Sequence, residues 1–99
     1  MIQTINETID RLEDGLKTFT ESQQETSALF DSEKRFYDVR SWKALERVSE
    51  KTLETELEHL KKMEQAFSVI QTEAEAVLLM RLLHGSKARL MQLAVQGGN

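Results

Sequence analysis

Residues 2–19 read IQTINETIDRLEDGLKTF, and this stretch decides the fold class. Its apolar residues recur at alternating intervals of three and four positions, which is the pattern of a helix that packs along another helix. Polar and charged residues fill the positions between them. We therefore predict a helix over residues 2–30 whose apolar seam binds a partner helix. The seam consists of Ile2, Ile5, Ile9, Leu12, Leu16 and Phe19.

Residues 31–42 are predicted to form a bend or turn after this helix, although a continuous helix remains an alternative. Asp31 and Ser32 can each cap a new helix start. Four aromatic residues lie in the thirteen positions from Phe30 to Trp42. They could form the core of the bend or a binding hot spot, since Trp and Tyr are enriched at interfaces. Trp42 is therefore a candidate partner-binding residue.

A second long helix is predicted over residues 43–84, because apolar residues again recur at helical spacing. Its last part, residues 77–83, is apolar nearly all round, which is typical of a helix covered on several sides. Exposed apolar patches of this kind mark partner sites. The candidate partner-binding residues of this helix are Leu60, Met63, Phe67, Ile70, Val77, Leu78 and Leu82.

The end of the chain is predicted to form a short third helix. Gly85 suits the position just after a helix end, and Ser86 can cap a new helix over residues 86–96. Residues 97–99, Gly-Gly-Asn, are predicted to be a frayed tail.

The predicted helix lengths do not match, and this mismatch suggests an oligomer. A helix over residues 43–84 would be about 63 Å long and the first helix about 43 Å. The first helix would then leave part of the second uncovered. We therefore predict a single all-α domain, a coiled-coil-like helical bundle completed by oligomerisation with the same or other helical chains.

Composition excludes several functional classes. The 99 residues include neither Cys nor Pro. The lack of Cys excludes disulfides and thiolate zinc sites. The net charge of −4 argues against general nucleic-acid binding. No signal peptide or membrane-spanning run is recognisable, so we expect a cytoplasmic protein. No catalytic motif, cofactor site or small-molecule substrate site is evident, and we predict no enzyme activity.

Glu56 and His59 form a Glu-x-x-His pair that offers an alternative function. Two such pairs and two further Glu residues hold the metals of di-iron helical bundles. A homodimer of this chain would supply two pairs, giving a half-sized, ferritin-like metal-binding bundle. The pair is also expected by chance in a Glu-rich helix, and a solvated surface pair is the favoured interpretation, so we predict no metal site.

The length and composition of the chain resemble those of two groups of known proteins. The length, the lack of Cys and Pro, and the lone Trp42 near the middle resemble the small secreted helical hairpins of the ESAT-6 type. Their bend carries Trp-x-Gly, where this chain has Trp42-Lys43-Ala44. The composition also resembles that of small helical subunits of eukaryotic assemblies. The favoured function is a non-enzymatic structural or adaptor subunit that assembles through its heptad seams.

Overall fold

The computed structural model describes residues 1–19 and 39–97, and within these ranges the chain is all-α, with no strand. Helix α1 spans Ile2–Phe19 and the short helix α2 spans Val39–Ala44. A single 3₁₀ turn, Leu45–Arg47, follows α2. Helix α3 spans Glu50–Phe67, and helix α4 spans Glu73–Gly97. The predicted fold class is therefore confirmed.

The core lies between α1, α3 and α4, which contact one another, while α2 and the 3₁₀ turn pack against α4. Helix α1 contributes the four central members of its predicted seam, which confirms its apolar face. All three long helices and the 3₁₀ turn supply side chains to one apolar cluster. Its members are Ile5, Ile9, Leu12, Leu16, Leu45, Leu53, Leu57, Leu60, Ala76, Leu79, Met80, Leu83, Leu90 and Ala94.

The prediction of one helix over residues 43–84 was wrong, because the chain breaks it at two places. The first break precedes Ser49, whose hydroxyl accepts a hydrogen bond of 3.3 Å from the backbone N–H of Thr52 and caps α3. The second separates Phe67 from Glu73. There Thr72 accepts a hydrogen bond of 3.2 Å from the backbone N–H of Glu75.

The second break has a local cause that the sequence carries. Thr72-Glu73-Ala74-Glu75 has the Ser/Thr-x-x-Glu spacing of a capping box. The hydroxyl of Thr72 also donates to the side chain of Glu75 at 2.8 Å. The apolar stripe continues in phase across this point, so periodicity alone conceals the helix end.

The prediction of a helix end at Gly85 and a separate helix over residues 86–96 was also wrong. Helix α4 runs through Gly85 without interruption, and no described glycine has a positive φ. A glycine inside a helix costs only about 1 kcal/mol relative to alanine. Burial of Leu83 before it and Leu90 after it outweighs that cost. Ser86 is buried inside the helix and does not cap a new one.

The remaining predicted bounds are only partly described. Helix α1 begins at Ile2 as predicted, and residues 20–30 of the predicted helix lie outside the described residues. Of the predicted bend, residues 31–38 also lie outside them, whereas residues 39–42 are helical rather than a turn. Gly97 ends α4 instead of belonging to a frayed tail, and residues 98–99 are not described.

These corrections remove the length mismatch on which the predicted oligomer depended. Helix α4, with 25 residues, is about 37 Å long, and α1 and α3, with 18 residues each, are about 27 Å long. Because the chain turns back at residues 68–72, α3 and α4 pack against each other as well as against α1. Oligomerisation remains a prediction, which now depends on the surface rather than on helix length.

Candidate functional site

The predicted seam of α1 is mostly occupied by the chain itself. Ile5, Ile9, Leu12 and Leu16 are buried in the core, and Ile2 is half-buried against it. Phe19, at the end of α1, is exposed. Of the predicted partner-binding residues in this helix, Phe19 is therefore the one most available to another chain.

The predicted partner-binding residues of the second half divide between core and surface. Leu60 is buried, and Trp42 packs half-buried against the core, as expected for a structural aromatic residue. Leu78 and Leu82 are exposed, at 60% and 59% of their full surface. The other four, Met63, Phe67, Ile70 and Val77, are partly buried.

Leu78 and Leu82 lie one turn apart on the side of α4 that faces away from the core. Gly85 and Arg89 continue the same line at intervals of three and four residues, and all four are exposed. We call these four residues the outer row of α4. The predicted all-round apolar stretch is thereby explained in part, because Leu79, Met80 and Leu83 enter the core while Leu78 and Leu82 face outward. The outer row thus places two large apolar side chains in solvent.

A buried ion pair joins the first and last helices. The ammonium of Lys87 on α4 donates to Oε1 of Glu13 on α1, and both side chains are buried. Removing Lys87 would leave the carboxylate of Glu13 without this cation in the core, which is strongly unfavourable. Sequence reasoning missed both residues. Each helix did carry a signal, which was one charged residue in line with its apolar stripe. Glu13 follows Ile9 by four positions, and Lys87, of opposite charge, follows Leu83 by four positions.

Glu56 is a second buried carboxylate, and the interpretation of it as a solvated residue was wrong. Its side chain is only 1% exposed. Nε of Arg89 lies 2.6 Å from Oε1 of Glu56, and Nδ1 of His59 lies 3.7 Å from Oε2. Oε2 accepts no hydrogen bond from any residue that the structure describes. Glu56 and His59 are therefore neighbours as predicted, and no feature of the sequence indicated that Arg89 also contacts Glu56.

The surroundings of Glu56 do not form a cluster of metal ligands. Nowhere in residues 1–19 and 39–97 do three or more His, Asp or Glu side chains come together in a way that could hold a metal ion. A guanidinium group, which is cationic and has no lone pair to donate, contacts one oxygen of Glu56. The ferritin-like alternative gains no support from this geometry.

A groove between α3 and α4 opens beside Glu56. Its volume is about 520 Å³. Its lining combines two apolar side chains with several cationic or titratable ones. The lining residues are Glu56, His59, Lys62, Met63, Arg81, Leu82, Gly85, Ser86 and Arg89. The groove is thus a mixed site, with more positive than negative charge in a chain whose net charge is −4.

One exposed ion pair joins α1 to α3. Nε of Arg11 donates to Oε2 of Glu64 at 3.0 Å, and this hydrogen bond, together with the attraction between the two charges, raises the pKa of Arg11 above its usual value. Arginine is charged at any physiological pH, so the shift does not make the pair a pH switch. Because the pair is exposed, it contributes little to stability.

Comparison with known proteins leaves the function open. The chain matches no protein-family model, no curated protein and no solved structure at a significant level. None of the helices in the described ranges is both long and apolar enough to cross a membrane.

Proposed function

We propose that the protein is a non-enzymatic adaptor subunit that binds a helix of another protein, or of a second copy of itself, along the outer row of α4. The observation that carries this proposal is the exposure of Leu78 and Leu82. Two large apolar side chains one turn apart are the minimal anchor for a helix that packs alongside.

The proposal narrows the partner surface expected from the sequence. Most of the α1 seam is already covered by α3 and α4, so a partner cannot use it without unfolding the chain. The outer row needs no rearrangement, because its leucines are exposed in the folded chain. A partner helix with apolar residues at matching intervals would remove both leucines from water, which is favourable.

The geometry also favours a binding role over catalysis. Cations neutralise the two buried carboxylates, Glu13 and Glu56. A carboxylate that already contacts a cation is less available to a reacting substrate. The groove beside Glu56 is open on the surface rather than enclosed, so it does not exclude water as catalytic sites do.

The test begins with the mass of the purified chain by light scattering, followed by affinity purification of the tagged chain from its own cells with quantitative identification of what binds. A partner is accepted only after the purified partner and chain re-form the complex. The double variant Leu78→Glu/Leu82→Glu is expected to weaken that complex, or a homo-oligomer, by at least about tenfold, since buried interface anchors dominate affinity.

The matched control is Val69→Glu. Val69 is 71% exposed in the turn between α3 and α4, so the substitution also exchanges an exposed apolar side chain for a carboxylate, but away from the outer row. It should leave the complex intact. Equal binding by the wild type and the double variant, or a monomer that binds no partner reproducibly, would refute the proposal.

A further inference from the structure

The groove between α3 and α4 is lined by Glu56, a buried carboxylate with one oxygen that lacks a hydrogen bond from the described residues. Oε1 of Glu56 contacts Arg89, but Oε2 is buried and, within residues 1–19 and 39–97, accepts no hydrogen bond. Nδ1 of His59 is 3.7 Å from Oε2, which is too far for a hydrogen bond. A buried carboxylate oxygen without a partner is unfavourable, so a donor that reached this oxygen from the groove would remove that cost.

The charges around this acceptor are mostly positive. Arg81 and Lys62 line the groove, are exposed, and add two positive charges to the one that Arg89 shares with Glu56. Nε of Arg89 contacts Glu56, and a guanidinium carries further donors. A negatively charged group would therefore be attracted to the mouth of the groove.

The walls and size suit a small molecule. Met63 and Leu82 supply apolar surface, and Ser86 supplies a hydroxyl. The volume of about 520 Å³ lies within the usual range of small-molecule sites, roughly 300–1,000 Å³. A ligand that combines an anionic group, a short carbon body and a donor would satisfy all of these features.

We infer that the groove is a binding site for a small carboxylate or phosphate that carries a neighbouring hydroxyl or ammonium group. The anionic group lies between Arg81 and Lys62, and the donor reaches Oε2 of Glu56. Leu82, Gly85 and Arg89 belong both to this groove and to the outer row of α4, so the ligand and a partner helix would use overlapping surfaces. The purified chain alone is enough to test it, so its failure and that of the adaptor role can be told apart.

The first experiment uses two dicarboxylates that differ by one hydroxyl. The isotopically labelled chain is titrated with malate and with succinate while backbone amide signals are followed by NMR. We expect malate to bind about tenfold more tightly, because only malate can donate to the charged acceptor Glu56. Its largest shifts should fall on residues 56–63 and 81–89. Glycerol 3-phosphate, titrated in parallel, determines whether a phosphate is preferred to a carboxylate.

Two neighbouring lysines provide a matched pair of variants. Lys62 lines the groove, whereas Lys61 is also exposed on α3 but does not line it. Lys62→Gln should weaken malate binding several-fold, and Lys61→Gln, with the same change in net charge, should leave it nearly unchanged. Arg81→Gln should act like Lys62→Gln. All three positions are exposed, so the fold should tolerate the changes.

Glu56→Gln tests the donor, with helicity checked by circular dichroism. In this variant the preference for malate over succinate should fall to about twofold or less. Equal binding of malate and succinate by the wild type would overturn the inference. So would equal losses in Lys61→Gln and Lys62→Gln, since both results would mean that the anion responds only to the overall charge of the surface.

Discussion

The ring of Phe67 on α3 lies directly against the backbone of Gly15 on α1. A Cβ atom at position 15 would be 2.7 Å from Cζ of that ring and 2.8 Å from its Cε1, closer than real Cβ contacts allow. Phe67 itself is half-buried against the core. Gly15 therefore lets α1 and α3 approach at this point, in a helix where glycine would otherwise only reduce stability.

Gly15→Ala is expected to lower the free energy of unfolding by about 1–3 kcal/mol, because the added methyl group displaces the Phe67 ring. In a Phe67→Ala background the same substitution should raise stability by about 1 kcal/mol, since only the helix preference of alanine remains. Urea unfolding followed by circular dichroism measures both. An equal effect of Gly15→Ala in the two backgrounds would show that the ring and the glycine do not interact.

Gly85→Ala should have the opposite effect on the wild-type chain. Nothing lies within 4 Å of a Cβ atom built at Gly85, which sits in the middle of α4. Replacing a helical glycine with alanine at an open position is expected to raise the free energy of unfolding by about 0.5–1 kcal/mol. The same unfolding assay checks this value. A loss of stability would indicate that α4 bends or ends at residue 85 in solution.

Leu82 and Leu83 are neighbours in sequence, but one is exposed and the other is buried. Leu82 is 59% exposed and Leu83 only 1% exposed. Leu82→Glu should change the free energy of unfolding by no more than about 0.5 kcal/mol, whereas Leu83→Glu should lower it by more than about 4 kcal/mol, because it buries an unpaired charge. Thermal unfolding of the two variants is a direct test of which side of α4 faces the core. Similar stabilities would place the core side elsewhere.

The Glu13–Lys87 pair gives a prediction about buried charge. Lys87→Met should lower the free energy of unfolding by about 3–5 kcal/mol, because it leaves the carboxylate of Glu13 uncompensated in the core. Adding Glu13→Met should restore most of that loss, since two apolar side chains of similar size can replace a buried pair. Denaturant unfolding of the single and double variants gives the coupling energy. Arg11→Ala, which breaks the exposed pair with Glu64, is the control and should change stability little.

The sequence predicted the elements better than their ends. The seam of α1 was readable because its apolar residues alternate at intervals of three and four, and the structure buries its four central members. The break before α4 was missed because the apolar period continues across it. The capping box beginning at Thr72 lies at that break, but the same spacing at Thr4–Glu7 and Thr55–Glu58 lies inside helices, so the motif alone does not identify a helix start.

The candidate site was less predictable, for physical reasons. Glu56 and His59 share a helix, so their neighbourhood follows from spacing alone. Arg89 lies 33 positions after Glu56 and reaches it only because the chain reverses between α3 and α4. Because Glu56 is charged, the sequence alone suggested that it is exposed to solvent. Its burial beside Arg89 becomes visible only in the packed structure.

The link between Glu13 and Lys87 also constrains how the protein is made. The two residues are 74 positions apart, so α1 leaves the ribosome well before its ionic partner is synthesised. At roughly 5–20 residues per second, this delay lasts several seconds, far longer than a helix takes to form. During that time the carboxylate of Glu13 stays hydrated beside the apolar seam. We therefore expect α1 to dock only after residue 87 has been synthesised, and ribosome-bound chains that stop before residue 87 to be readily cut by proteases.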